Sequence, residues 1–578
     1  MSMTWTKDQQ KVIDTRNTNL LVSAAAGSGK TAVLVERILS LITDAEHPVD
    51  VDRLLITTFT KAAAGEMRER ISRALAERLK EDPGNEWLQR QEALVHRAQI
   101  TTIHGFCLYV IRNYFHTIGL NPNFRIADEG EMKLLKQDTA KEIIDEAHRS
   151  GDPAFRKFAD SYGSGSRGNG LEELVISLYE YAIASPQPEQ WLRNCVSAYE
   201  MPEDGTWEDF SGNEAGDVLS VIREAKNVAQ MPGGPAAYCE ALLSDEQQLT
   251  ELAECVSVER FRERLEGISW ARLPSRRAKV MADADEELCQ NVMDLRNRMK
   301  EAVKGLGKQY FQISDEEQFA QLRETAGNVQ VYVQLALAFM ERLEEKKRKK
   351  NILDFADQEH LALKILTREE DGKLLPSETA DVFAEYFEEI MVDEYQDSNL
   401  VQEAILESIS RSRLGRENRF MVGDVKQSIY RFRQAEPGLF LEKYAHYGEK
   451  DGGIRVDLHQ NFRSRSTVLD AVNEAFYRIM RPELGGIDYD EDAALKAGAS
   501  YPEEDHMTAE LLLLQKEEWE QLQRECRWTK AETEAHMIAG KIRYLFREGK
   551  VTEDGQLRPV RPGDIAILLR TMSGWSET

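Results

Sequence analysis

Residues 20–31 read LLVSAAAGSGKT, and this stretch decides the fold. An apolar run typical of a buried strand is followed by a loop of small residues, after which Lys30 and Thr31 begin a helical pattern. Unpaired N–H groups and the positive end of the helix dipole make such a helix start a site for an anion. The stretch therefore predicts a phosphate-binding loop between a strand and a helix.

Each part of this loop has a physical role in holding a nucleotide. Glycines let the backbone wrap closely around phosphates, the Lys30 ammonium reaches the β- and γ-phosphates, and the Thr31 hydroxyl is a Mg²⁺ ligand. Ala24 stands where the usual pattern has glycine, and a plain turn of small residues is the alternative, but such a turn does not require Lys-Thr after Gly-Ser-Gly. The predicted nucleotide contacts are Ala24, Ala25, Ala26, Gly27, Ser28, Gly29, Lys30 and Thr31.

Length and composition limit the classes of protein. A chain of 578 residues is too long for one core and predicts several domains. The net charge of −27 excludes a surface that is basic all over, but it allows a local basic groove for nucleic acid, which we expect. Six cysteines without a C-x-x-C pair indicate a reducing compartment and no zinc or cluster site in this part of the chain. With no leader-like start and no membrane-spanning apolar window, we expect a soluble, cytoplasmic protein.

The strand and helix patterns divide the chain into four ranges. Strand-like runs alternate with helices over 1–127, which predicts an α/β domain with a parallel sheet. Amphipathic helical patterns fill 128–350, a large α-helical insertion. The α/β pattern resumes over 351–450 and completes the first domain. A second, incomplete α/β domain begins within 451–578, where the run DIAILLR at 564–570 predicts a strand.

Paired carboxylates end one of the later strands. Hydrolysis of a nucleoside triphosphate needs groups that neutralise the negative charge of the phosphates, hold the metal ion and orient the attacking water. Asp393 can hold Mg²⁺, while Glu394, which faces elsewhere because side chains alternate along a strand, can orient and deprotonate the water. Such pairs also occur by chance in surface turns, but the preceding loop and the DEYQD context favour catalysis. Gln427 is a neutral donor for the γ-phosphate, and Arg463 can serve as an arginine finger from the neighbouring domain.

Aromatic side chains and an arginine lie near the predicted strand ends. Aromatic rings can stack on unpaired bases, and a guanidinium can bind the phosphate backbone. The residues concerned are Phe59, Tyr430, Phe432 and Arg433, with core packing as the alternative for each ring. Phe462 can instead stack on adenine. Gln9 can pair with the adenine edge through its amide or belong to a solvated helix. A third strand is predicted over 99–106, ending in a turn where His104 is most simply a polar loop residue.

Six segments together match one family in order. They are SAAAGSGKTAVLVER, TTFTKAAAGEMRERI, TTIHGFC, VDEYQDSNLVQE, FMVGDVKQSIYRFRQAEP and NFRSRSTVLD. The chain resembles superfamily 1 DNA helicases of the UvrD/RecB type, and most closely the helicase–nucleases of the AddAB type. Even Ala24 fits, because these proteins commonly have alanine there.

The resemblance implies two RecA-like P-loop motor domains with ATP and Mg²⁺ between them and single-stranded DNA across their tops, moved 3′ to 5′. The implied adenine contacts are Gln9 and Arg37. The implied hydrolytic centre consists of Lys30, Thr31, Asp393 and Glu394. The implied γ-phosphate contacts are Gln427 and Arg463. The implied DNA contacts are Phe59, His104, Tyr430, Phe432 and Arg433.

The resemblance also implies partners and further domains. In the family the motor protein forms a heterodimer with an AddB-type partner, processes end-containing double-stranded DNA for recombinational repair, and carries a C-terminal nuclease domain. No nuclease motif is visible before Thr578, and the later helicase motifs are missing, so we expect part of a longer protein.

Three functions follow from these observations. The first is an ATP-driven DNA motor. The second is a scaffold that binds DNA or a partner without ATP turnover, although a scaffold would be free to lose Lys30, Glu394, Gln427 or Arg463, and all four are present. The third is a repair helicase without a nuclease, which differs only after Thr578.

Overall fold

The computed structural model describes residues 5–163, 170–199, 206–255, 257–282, 284–313, 315–448, 452–481, 487–501, 508–553 and 556–569. They form two compact units. The first consists of Met1–Pro122 with Phe355–Thr578, and the second of Asn123–Asp354. None of the described helices is both long and apolar enough to cross a membrane.

A six-stranded parallel sheet lies at the core of the first unit. Its strands are β1 (Leu20–Ala24), β2 (Leu54–Thr58), β3 (Gln99–Thr102), β4 (Glu389–Asp393), β5 (Arg419–Gly423) and β6 (Ile454–Leu458). Their order across the sheet is β6-β1-β5-β4-β2-β3. The central strands are apolar along their length and buried, as parallel sheets covered by helices require. The predicted α/β fold with a parallel sheet is confirmed.

Helices of the first unit join these strands and pack on the sheet. Before the second unit they are α1 (Lys7–Asp14), α2 (Lys30–Ile42), α3 (Lys61–Glu81), α4 (Glu86–Leu94) and α5 (Ile103–Tyr114). Apolar side chains of α1 to α4 share one core with β1 and β2. Because α2 and α3 each follow a parallel strand, they carry the chain back toward the amino edge of the sheet, and the loops that follow the strands gather at the carboxyl edge.

The second unit is built from amphipathic helices. They are α6 (Glu129–Ser150), α7 (Pro153–Tyr162), α8 (Leu171–Ala182), α9 (Pro188–Ser197), α10 (Thr206–Gln230), α11 (Cys239–Ala253), α12 (Val258–Gly267), α13 (Glu286–Tyr310) and α14 (Asp315–Lys350). One core joins α6, α7, α8 and α14, and another joins α10 to α13. A parallel pairing of Arg125–Ile126 with Ile352–Leu353 brings the two ends of the unit together. The unit contains the range 128–350 that the sequence marks as an insertion.

The chain returns to the first unit with further helices. They are α15 (Phe355–Leu366), α16 (Glu378–Tyr386), α17 (Leu400–Ser408), α18 (Gly438–His446), α19 (Ser466–Ile479), α20 (Lys516–Cys526) and α21 (Lys530–Glu548). A hairpin pairs Thr367–Glu370 with Lys373–Pro376, and another pairs Lys550–Glu553 with Gln556–Pro559.

The structure differs from two expectations for residues 451–578. β6 pairs in parallel with β1, Ile454 opposite Leu20 and Leu458 opposite Ala24. The first sheet therefore extends past the predicted boundary at 450, because β1 is completed by this later strand. The strand predicted over 564–570 is absent from the described part, 564–569: Asp564 ends a 3-10 helix, and Leu568 is 93% exposed. A strand needs a hydrogen-bonding neighbour, and the described chain offers none there.

Candidate functional site

The phosphate loop follows the carboxyl end of β1 and leads into α2. Gly27 and Gly29 have φ angles of +70° and +84°, the left-handed region that favours glycine. A Cβ on Gly27 would lie 2.7 Å from Nδ2 of Asn461 and 2.9 Å from Cβ of Arg463. Gly29 is the N-cap of α2 and has no side chain to accept from the first N–H groups of that helix. This helix start therefore has the geometry of an anion site.

The carbonyl groups of the loop are held by residues far away in the sequence. Nδ2 of Asn461 donates to the carbonyl oxygen of Ala26 over 2.6 Å, and the Phe462 N–H donates to that of Gly27 over 2.8 Å. Oδ1 of Asn461 accepts from the N–H groups of Arg463 and Ser464, both over 2.8 Å. The loop and the segment after β6 are thus tied together, and Arg463 is anchored beside Gly27. Asn461 was not predicted from the sequence, because its partners lie beyond any local pattern.

Lys30 and Glu394 form an ion pair. Their Nζ and Oε2 atoms are 3.3 Å apart. β4 ends at Asp393, and Glu394 has a left-handed backbone, with φ 55° and ψ 45°. Alternation along a strand was the expected reason for the different directions of the two carboxylates. That reason is wrong, because the turn after the strand directs Glu394 toward the phosphate loop.

The carboxyl groups around Lys30 are crowded and partly buried. Burial raises the pKa of Asp393 to about 6, repulsion by Glu394 adds to the rise, and Lys30 opposes it. Burial and Glu394 likewise raise the pKa of Asp397 to about 6. The raised pKa values of Asp393 and Asp397 thus reflect burial and the neighbouring Glu394 carboxylate, which Lys30 offsets only in part.

Gln396 connects this site to the end of β5. Its Nε2 donates to Oε2 of Glu394 over 2.9 Å, and its Oε1 accepts from the N–H of Asp424 over 3.0 Å. Oδ2 of Asp424 accepts in turn from Nε2 of Gln427 over 2.7 Å. The structure therefore places the predicted γ-phosphate donor in contact with the turn that follows β5.

The aromatic residues predicted to contact DNA lie together. The ring centroids of Phe59 and Tyr430 are 4.2 Å apart, and those of Tyr430 and Phe432 are 5.8 Å apart. The Arg433 guanidinium lies 5.6 Å from the centroid of Tyr430 and 5.9 Å from that of Phe432. We call these four residues the aromatic cluster. Phe432 is 75% exposed, so core packing does not account for it.

Comparison with known proteins identifies the family. The UvrD/REP helicase N-terminal domain matches residues 5–448. The chain belongs to the UvrD/REP helicase family. The resemblance noted in the sequence is confirmed.

Curated relatives of this UvrD/REP family chain share one name, which identifies each as the A-type subunit of an ATP-dependent helicase/nuclease. One from Lachnoclostridium phytofermentans is 42% identical over 99% of this chain and 45% of its own length. Relatives from Bacillus velezensis and Clostridium perfringens are 40% and 39% identical, over 98% and 100% of this chain and 47% and 49% of theirs. The chain spans about half the length of the curated relatives it matches.

Arg37 does not lie at the nucleotide edge of this UvrD/REP domain. The side chain is 2% exposed, its Nε donates to Oε1 of Glu389 over 2.7 Å, and its Nη1 donates to the carbonyl oxygen of Val12 over 2.5 Å. Glu389 is the first residue of β4, at the opposite end of the strand from Asp393. The predicted adenine contact is therefore wrong, because a buried ion pair occupies the guanidinium at the amino edge of the sheet.

Gln9 lies directly behind the phosphate loop. Its Nε2 donates to the carbonyl oxygen of Ser28 over 3.1 Å, and its Oε1 accepts from the N–H of Thr6 over 3.0 Å. An amide has a second N–H and a second lone pair. An adenine contact by Gln9 thus stays a prediction. Phe462, which is 38% exposed, stays a candidate to stack on adenine.

His104 lies in the first turn of α5, not at the end of a longer strand. β3 stops at Thr102 because the Thr102 hydroxyl caps α5, accepting from the N–H of Gly105 over 3.2 Å. Nε2 of His104 lies 3.2 Å from Oε1 of Glu359, and its ring packs edge-on against Phe355. The DNA contact by His104 stays a prediction, and the polar interpretation fits these contacts.

Proposed function

We propose that this chain is the motor part of an ATP-dependent DNA helicase that moves 3′ to 5′ along single-stranded DNA. The observation that carries the proposal is the ion pair of Lys30 with Glu394, which joins the phosphate loop to the end of β4. The aromatic cluster, formed by loops after β2 and β5, supports a DNA-binding surface at the same edge of the sheet. The shared name of the relatives supports the same activity.

Hydrolysis would use the ion pair as a switch. The triphosphate binds to the first N–H groups of α2, and its phosphates draw the Lys30 ammonium from Glu394 because they carry more negative charge. The Glu394 carboxylate is then free to accept a proton from the attacking water. Arg463, anchored beside Gly27, and Gln427 supply positive charge and a neutral donor to the γ-phosphate in this proposal.

The residues of the site fit Mg²⁺. Thr31 in the first turn of α2 and Asp393 at the end of β4 provide a hydroxyl and a carboxylate, the oxygen ligands that Mg²⁺ prefers. Among the described residues, no group of three or more His, Cys, Asp or Glu side chains could hold a metal by itself. This agrees with an ion that also uses phosphate and water ligands. When bound, Mg²⁺ neutralises charge that develops on the phosphates.

The aromatic cluster would hold the DNA strand. Exposed rings stack on bases of any sequence, and Arg433 neutralises a phosphate, which gives the sequence-tolerant grip that a translocating protein needs. For the whole protein we propose end-containing double-stranded DNA as substrate, a heterodimeric partner of the AddB type and a role in recombinational repair. The nuclease in the relatives' names would lie in the part that this chain does not cover. A cytoplasmic location would follow from the DNA substrate.

The test is ATP hydrolysis by this chain with and without single-stranded DNA. We expect stimulation by DNA, and we expect Glu394→Gln to reduce turnover by about 100-fold or more while nucleotide still binds, because it removes the base but not the phosphate loop. Glu66→Gln is the matched control, since Glu66 is an exposed carboxylate on α3 paired with Arg70. Nucleotide binding without turnover in the unaltered chain would support the scaffold instead.

A further inference from the structure

Gln396 is a buried amide between two parts of the site. The residue is 1% exposed, and its Nε2 also lies 3.3 Å from Oδ2 of Asp397. The amide therefore donates to carboxylates on one side and accepts from the Asp424 N–H on the other. If an apolar side chain took the place of the amide, the Asp424 N–H would lose this partner, at a cost in free energy, and Oε2 of Glu394 would keep only Lys30.

The end of β5 is shaped to receive this amide. Gly423 is the last residue of β5, and a Cβ there would lie 2.3 Å from Oε1 of Gln396 and 3.2 Å from the backbone nitrogens of Gln396 and Tyr395. Gly423 has an ordinary negative φ, so the close approach of the turn after β4, and not its backbone conformation, requires glycine. The two strand ends are thus fitted to each other around Gln396.

The contacts continue to the aromatic cluster. Asp424 accepts from Gln427, and the chain then runs through a short turn to Tyr430, whose ring packs on Phe59. In the other direction, Oε2 of Glu394 is shared between Lys30 and Gln396. If Lys30 moved to the phosphates, the Gln396 N–H would still be placed to donate to this oxygen. The Gln396 amide and the Glu394 carboxylate would therefore move together when the nucleotide site changes.

We propose that Gln396 is a positioning residue that holds Glu394 for proton abstraction and transmits the state of the nucleotide site to the aromatic cluster. The proposal rests on the proposed function above. A shift of the Glu394 carboxylate would move the Gln396 amide, and through Asp424 it would displace Gln427 and the turn that carries Tyr430. Nucleotide hydrolysis and DNA grip would be linked by one side chain.

Gln396→Met tests the proposal, because methionine has a similar length and offers no N–H donor. We expect kcat for DNA-stimulated ATP hydrolysis to fall about 10- to 100-fold while KM for ATP stays within about twofold, since the phosphate loop is untouched. The ratio of single-stranded DNA affinities with and without a non-hydrolysable ATP analogue should move toward one. In the Glu394→Gln background, Gln396→Met should add no further loss of turnover.

Gln91→Met is the matched control. Gln91 is also buried and also bridges a backbone N–H and a carboxylate: its Oε1 accepts from Val51 and its Nε2 donates to Asp50, outside the site. Equal kcat in the two variants, with the unaltered chain active, would overturn the role of Gln396. No DNA-stimulated hydrolysis in either the unaltered chain or Gln91→Met would instead overturn the proposed function, and this inference with it.

Discussion

The side-chain amide of Asn461 donates to the carbonyl oxygen of Ala26 over 2.6 Å, although the two residues are 435 positions apart in the chain. The same side chain accepts from two N–H groups that follow it. It therefore sets the distance between the phosphate loop and Arg463. A single buried amide holds together the two halves of the proposed ATP site.

Replacing Asn461 by alanine should weaken ATP binding and the fold. The Ala26 carbonyl and the N–H groups of Arg463 and Ser464 lose their partner, and the expected loss in unfolding free energy is about 2–3 kcal/mol. Asn473→Ala is the control, because Asn473 likewise bridges the backbone of Leu495, away from the loop. Urea unfolding and titration with a fluorescent ATP analogue measure the two effects. Unchanged ATP affinity in Asn461→Ala would contradict the positioning of the loop.

Gly27→Ala should abolish nucleotide binding. A Cβ at this position meets Asn461 and Arg463 and forces a side chain into a left-handed backbone, which costs about 1–3 kcal/mol. Gly65→Ala is the contrasting variant. Gly65 lies inside α3 with nothing within 4 Å of an added Cβ, and alanine there should stabilise the helix by about 0.5–1 kcal/mol. Thermal unfolding and ATP titration of both variants distinguish a loop-specific effect from a general one.

Phe432→Ala should weaken binding of single-stranded DNA and leave the fold intact. Loss of one stacking ring corresponds to about 1–3 kcal/mol of binding free energy, whereas an exposed side chain contributes little to stability. Val382→Ala removes an exposed apolar side chain on α16 and serves as the control. Fluorescence anisotropy with labelled oligonucleotides at several salt concentrations measures affinity and salt slope. A slope near zero would contradict the basic groove that the acidic chain is expected to carry.

Glu403 should make the stability of the first unit depend on pH in acid. Burial alone would raise the pKa of Glu403, but Arg419 and Lys443 outweigh burial and lower it from 4.5 to about 2. Because the folded pKa lies below the unfolded one, this contribution is complete above pH 4.5 and is lost as the pH falls toward 2. Its size is about 3 kcal/mol. Urea unfolding at pH 6, 4 and 3 measures the free energy of unfolding. This free energy should change less with pH in Glu403→Gln than in Glu66→Gln. Equal pH dependence in the two variants would contradict the role of Glu403.

Local patterns account for most of what the sequence predicted. The phosphate loop and the carboxylates at the end of β4 were predicted from residues adjacent in the chain. The rings of Tyr430 and Phe432 were predicted because they lie in one loop. Long-range partners were outside the reach of such patterns. In the sequence, Arg37 is a polar residue on a helix that is predicted to be buried. Its partner Glu389 is 352 positions away, so the local pattern does not predict the ion pair.

The remaining differences have equally specific causes. The third strand is shorter than predicted because the Thr102 side chain caps the helix that follows it. Asp393 and Glu394 point in different directions because of the turn at Glu394, and not because side chains alternate along a strand. Asn461 and Gln396 carry no local signature, because their role consists of hydrogen bonds between segments that only the folded sheet brings together.

The order of strands in the sheet has a consequence for biosynthesis. β1 is made before both of its neighbours in the sheet, and β5 and β6 follow roughly 20–90 s later at typical rates of elongation. The nascent chain meanwhile completes the second unit, whose residues are contiguous. The unpaired edges of β1 are open to wrong pairing and to chaperones during this interval. Asn461 can close the phosphate loop only after it has emerged itself, 435 positions after Ala26, so a polypeptide released before that point lacks this contact of the proposed ATP site.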